Sequence, residues 1–179
     1  MVYQGAICAE HGLEEIISLL PFTIHGKRLS LTIFGHINDK YRLFLTDLAI
    51  RYKVKDRLHF KNRVAYQELP QHTTQHHIGI AINKPSSINY ETAGTASNKI
   101  YEYAALGLPI IYHGSPHYIK HLKPYDWAFA TDLSNESLLA ILEEISANYQ
   151  KLSRMARHDF ETTLNFESFF EKIPVIEHV

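Results

Sequence analysis

Lys99 and Glu102 stand three positions apart in a stretch that reads as a helix, Ser97-Asn98-Lys99-Ile100-Tyr101-Glu102-Tyr103-Ala104-Ala105-Leu106. The free N–H groups and the peptide dipole make a helix N-terminus an anion site. A lysine in the first turn opposes that dipole unless it serves an anion. Glu102 lies one turn further in, beside Asn98 and Lys99 and away from Ile100 and Ala104. Helical side chains lean toward the N-terminus, so this carboxylate reaches back to whatever the first turn holds. A carboxylate there suits the paired hydroxyls of a ribose, as in other nucleotide-binding α/β domains. The competing reading is an exposed ion pair between Lys99 and Glu102, worth a few tenths of a kcal/mol.

The elements that must position this pair alternate between strand and helix. Val2 to Ile7 reads as a strand, and Leu13, Ile16, Ile17 and Leu20 fall at helical spacing before Pro21. Leu29 to Phe34 is a β-branched strand closed by Gly35, and Tyr41, Leu45, Leu48, Ala49 and Tyr52 form a second helical stripe. Val54 to Phe60 and His77 to Ile82 contain strands, with a weakly helical segment, Tyr66 to Gln75, between them. A long polar loop from Asn83 leads to the helix that carries Lys99. Gly107 is placed to end that helix, and Pro109 to Tyr112 follows as an apolar strand. Trp127 to Ala130 is a further strand. Leu138, Ile141, Leu142 and Ile145 mark an amphipathic helix that Ser134 caps, and Leu152 to Ile173 is a helical tail.

This alternation predicts an α/β domain: a doubly wound, mostly parallel Rossmann-like sheet with helices on both faces. In such sheets the ligand binds beyond the carboxyl ends of the strands, where the strand order reverses. With order 3-2-1-4-5-6, the crevice lies between the loops after the first and fourth strands, here Ile7 to Gly12 and Asn83 to Ser97.

Composition narrows the class. The chain has 179 residues, enough for one domain over 1–179 in which 150–179 is a helical tail. Lys and Arg number 18 against 19 Asp and Glu, so there is no overall attraction for nucleic acid. No run approaches the ~20 apolar residues of a membrane span, and no signal-peptide pattern opens the chain. A lone cysteine, Cys8, fits a reducing compartment, and a cytoplasmic location is expected. Gly-x-Gly-x-x-Gly, Walker A and Gly-x-Ser-x-Gly motifs are absent, which argues against NAD binding, P-loop chemistry and hydrolysis. His72, His76 and His77 lack the carboxylate of a zinc motif, so no metal site is expected. His113 and His117 flank a turn at the ligand face and read as turn residues rather than ligands.

Ser97-Asn98-Lys99, Glu102-Tyr103 and Gly107-Leu108-Pro109 resemble, in order and spacing, the donor-binding helix of the family-four (group 1) retaining glycosyltransferases of GT-B fold. Val2-Tyr3-Gln4-Gly5 with Gly12-Leu13-Glu14, Leu31 to Gly35, Leu58-His59-Phe60, Val64 and the tail Asn165 to Phe170 are similar to successive pieces of that family's C-terminal domain. The resemblance implies a domain that holds the nucleotide half of an NDP-sugar as co-substrate, with no separate cofactor and no metal. By matched position Glu102 takes the ribose hydroxyls, and backbone N–H groups at Ser97 and Asn98, with Lys99, take the diphosphate. Gly5 lets the diphosphate approach the first strand, and the turn carrying Arg63 and Val64 meets the base. His11 stands where many members have a phosphate-binding Arg or Lys. Gly94 stands where many carry a second, sugar-facing glutamate, and Glu91 is the nearby substitute. The family's N-terminal acceptor domain is not matched by any part of the chain. The resemblance therefore implies transfer to a glycan or lipid-linked acceptor only together with such a domain, and allows peripheral membrane association. A non-catalytic nucleotide- or partner-binding module, or half of a GT-B sugar-nucleotide epimerase, is the alternative.

Overall fold

The computed structural model describes residues 1–86 and 97–170. Six strands form one parallel sheet: β1 (Val2–Gln4), β4 (Leu31–Phe34), β5 (Leu58–Lys61), β6 (Gly79–Ile80), β7 (Ile110–His113) and β8 (Ala128–Thr131). Their order, β5-β4-β1-β6-β7-β8, is the doubly wound arrangement expected from the sequence. It reverses at β1, which pairs β4 on one side and β6 on the other. All residues of β1 and β4 are buried, as continuous parallel strands covered on both faces require.

Among the described residues the α-helices are α1 (Leu13–Leu19), α2 (Asp39–Arg51), α3 (Leu69–Thr73), α4 (Asn98–Ala105), α5 (Pro116–Leu122), α6 (Asn135–Asp159) and α7 (Phe166–Phe170). Crossovers of the usual hand, leaving β1 in opposite directions, put helices on opposite faces. Ser134 caps α6 by accepting the Ser137 N–H, as its position predicts. Arg157 of α6 donates to the Ala105 carbonyl, tying α6 to the last turn of α4.

Two features differ from the sequence reading. A small antiparallel hairpin, β2 (Thr23–Ile24) and β3 (Lys27–Arg28), precedes β4. The amphipathic stretch and the start of the tail are one 25-residue helix, α6, and position 150 falls inside it. A π-helical turn over 160–164 then leads to α7.

Tyr103 fastens α4 to the centre of the sheet. Its ring is fully buried against Gly79, and its hydroxyl accepts the Gln4 N–H (3.1 Å) and donates to the Val2 carbonyl (3.3 Å). The β1–β6 ladder holds a single matched pair, Val2 and Gly79, so the phenol supplies a partner for the Gln4 N–H beyond that pair. It also fixes the helix that bears Lys99 and Glu102 at the end of β1.

Candidate functional site

The chain leaves β1 through Gly5, whose N–H donates to the Phe34 carbonyl (3.0 Å). Gly5 has φ 127°, a conformation that L side chains rarely adopt, and a Cβ there would sit 3.9 Å from Lys99 Nζ. The loop then runs through Cys8 and His11 to Gly12, where α1 begins. The loop after β6 joins it: the Lys84 N–H donates to the Glu10 carbonyl (2.7 Å), and Lys84 Nζ pairs with Glu15 (2.7 Å). The described parts of the two loops that the strand order predicts for the crevice are thus joined, and Lys99 in the first turn of α4 meets the first of them at Gly5.

Lys99 lies half-buried over Tyr3, with Nζ 4.5 Å from the ring centroid and 3.2 Å from the hydroxyl. Burial pulls its pKa down to about 8 from an ordinary 10.5, against the opposing pull of Cys8 and Glu102. Among the described residues no carboxylate forms an ion pair with it. The surface pair that competed with a ligand role is thus not formed. Lys99 turns to Tyr3 and Glu102 turns the other way, to Gln4.

Tyr3 connects Lys99 to His11. Its hydroxyl donates to the Ala6 carbonyl and lies 2.8 Å from His11 Nδ1. His11 is buried, and its pKa is lowered to about 4, first by burial and then by the charge of Lys99. The neutral imidazole places Nδ1 within hydrogen-bond reach of both the Cys8 N–H (3.3 Å) and the Tyr3 hydroxyl. His11 therefore brings a dipole, not a cation, to the place where an arginine or lysine was the pattern to match. It also makes folding acid-sensitive. The unfolded chain binds a proton near the ordinary value of 6.5 and the folded chain near 4, so stability falls as pH drops through that window. His11→Gln is expected to flatten the decline, which is on the order of 3 kcal/mol, in urea titrations run across the window.

Glu102 lines a groove of about 970 Å³ together with the polar Gln4, Tyr66, Thr73 and Asn98 and with Leu69, Tyr101, Leu164 and Phe166. Gln4 Nε2 donates to Glu102 (2.5 Å), and Gln4 Oε1 accepts from Thr73 Oγ1 (2.9 Å). Exposed Tyr66 faces the same carboxylate, whose charge raises the phenol's pKa. Asn98 and Gln4 line the groove while their neighbours Lys99 and Gly5 meet behind them. The Gly5–Lys99 contact therefore adjoins the groove.

Of the other residues singled out in the sequence, Ser97 is the extended N-cap of α4 and makes no side-chain cap bond, which leaves its backbone to define the turn. Val64 packs half-buried against the core, and Arg63 is exposed in the loop after β5. Glu91 and Gly94 lie outside the described residues. His72 and His76 pack on the Phe34 ring, at 5.7 and 6.2 Å between centroids. Among the described residues no three His, Cys, Asp or Glu side chains converge on a metal-sized site. No helix among them is long and apolar enough to cross a membrane. The sequence reading missed Tyr3, Gln4, Tyr66 and Thr73. Only Gln4 left a trace, as a polar residue ending an apolar strand just before the glycine.

The profile of the glycosyl transferase-like family matches residues 10–169. The chain belongs to that family. No curated protein sequence matches it. Among solved structures it is similar to WaaG, a glycosyltransferase involved in lipopolysaccharide biosynthesis, with TM-score 0.66 and 17% identity over 90% of this chain and 42% of that one. Sucrose-phosphate synthase from Thermosynechococcus elongatus gives TM-score 0.70 and 15% identity over 93% and 42% of the two chains. Anabaena HepE, in complex with UDP-glucose, gives 0.68 and 14% over 89% and 42%. At such identities the likeness fixes the fold alone, one Rossmann-like half of the GT-B fold. The chain spans about two fifths of the length of these structural relatives.

Proposed function

We propose that this glycosyl transferase-like chain binds the nucleoside diphosphate half of an NDP-sugar, as the donor domain of a retaining glycosyltransferase. One observation carries the reading. A half-buried ammonium without a carboxylate partner among the described residues stands in the first turn of α4 over Gly5, and a carboxylate stands one turn on in the lining of a groove. Withholding an ammonium from water without an ion pair is costly, and a diphosphate would offset that cost. The HepE complex with UDP-glucose, of the same fold, supports this class of ligand.

In this reading the diphosphate lies between the Gly5 loop and the N-terminus of α4, and Lys99 neutralises charge as it leaves the sugar. Glu102 accepts from the ribose hydroxyls, and the base sits toward Val64 and Arg63. Lys99 and the helix N-terminus meet the diphosphate charge in place of a divalent cation. Glu91, Gly94 and a second domain supply the surround of the sugar and the glycan or lipid-linked acceptor, on the cytoplasmic side of a membrane or in the cytoplasm. The second reading, a binding module without turnover, is favoured by the neutral, buried His11 in the phosphate loop.

Calorimetric titration with UDP, GDP and ADP tests the proposal. One base is expected to bind preferentially, and Glu102→Ala to weaken it about tenfold or more through loss of a charged hydrogen-bond acceptor. Equal affinity in the variant would remove Glu102 from the site.

A further inference from the structure

We propose that Gln4 is a positioning residue that confers ribose selectivity by holding the Glu102 carboxylate away from Lys99 and open to the groove. The inference rests on the nucleotide-binding reading above. Glu102 and Lys99 are three apart on one helix, the spacing at which opposite charges meet. Left alone, the carboxylate would fold onto the ammonium and each would cancel the other as a ligand. No ion pair joins them, and the buried Gln4 amide donates to Glu102, with exposed Tyr66 as a further partner of the carboxylate.

The amide is well placed for that task. Gln4 ends the central strand and is only 3% exposed. Its orientation is set by Thr73, fully buried on α3, whose hydroxyl donates to Oε1 and leaves Nε2 to face the carboxylate. Its backbone N–H is held by the Tyr103 hydroxyl, one residue along α4 from Glu102. A buried primary amide engaged at both ends by α3 and α4 has no slack to follow Glu102 elsewhere. Exposed Tyr66, which also lines the groove, meets the same carboxylate. Swinging Glu102 to Lys99 would strand a buried N–H, so the strand end enforces the separation.

The test uses the 179-residue chain and, for whichever of UDP, GDP and ADP it binds, that nucleotide and its 2′,3′-dideoxy analogue. Wild type is expected to prefer the ribose form about tenfold or more. Gln4→Met, of similar shape but without the amide, is expected to lose most of that preference and to bind the dideoxy form no more tightly than wild type does. Thr73→Val, which frees the amide while leaving it in place, should lose part of it and serves if Gln4→Met does not fold. A merely structural role would lower both affinities together and leave their ratio intact. Adding Glu102→Ala to Gln4→Met should cost little more than either alone. Retention of the ribose preference in Gln4→Met, with its loss in Glu102→Ala, overturns the inference and spares the binding reading. Absence of binding by wild type overturns both.

Discussion

Lys99→Ala is expected to weaken nucleoside diphosphate binding by about a hundredfold, the upper range for losing a charged donor to an anion. The wild type should show a companion effect of pH. Burial holds Lys99 at about 8, so affinity should begin to fall as pH rises through 8 rather than near the ordinary 10.5. Unfolding does not account for such a loss, because the sign is opposite. Between 8 and 10.5 the unfolded chain binds the extra proton at this lysine, so its contribution to stability rises with pH. Lys99→Arg, charged at all accessible pH, should bind more weakly than wild type at neutral pH but keep its affinity above pH 8. Calorimetry of the three proteins at about pH 7 and about pH 9.5 checks both effects. A lysine uninvolved in binding would leave all of these values alike.

Gly35→Ala is expected to be the most damaging single methyl added to the chain, at about 3–5 kcal/mol. A Cβ at position 35 would lie 2.0 Å from the Gly5 carbonyl oxygen, closer than any contact can stand, and φ at Gly35 is 146°. The neighbour is backbone, so a rotamer change offers no relief. The only escape is to push the Gly5 loop away from β4, which breaks the Gly5 N–H to Phe34 bond and moves the floor of the proposed diphosphate site. Urea unfolding should therefore show a large fall in midpoint at near-constant slope, and nucleotide affinity should fall with it. A loss below about 1 kcal/mol would mean that the two strand ends are not in contact in solution.

Much of the site was legible because its parts are local. The apolar stripe, Gly107 and Pro109 together delimit α4, and helical geometry alone puts Lys99 and Glu102 in its first turns. The strand order followed from alternation, and with it the loop after β1 that meets Lys99 at Gly5. The hairpin at Thr23–Arg28 escaped because two-residue strands have no period to detect, although His25 and Gly26 both take positive φ at its turn. The continuity of α6 escaped because its apolar stripe thins between Ile145 and Leu152, while tertiary contacts with α1 and α4 sustain the helix. Gln4 escaped for a different reason. Its partners lie 69 and 98 positions away, and nothing local marks a polar strand end as the anchor of a distant carboxylate. Tyr3 likewise reads as core, and its ring is buried, yet its hydroxyl is what Lys99 and His11 share.

Backbone amide NMR during titration with the preferred nucleoside diphosphate tests the central claim most directly. The account predicts saturable shifts concentrated at Gly5, Cys8 and His11 on one side and at Asn98, Lys99 and Glu102 on the other, with β8 and the middle of α6 unmoved. Shifts confined to the apolar lining of the groove around Leu164 and Phe166, or none at saturating nucleotide, would contradict it.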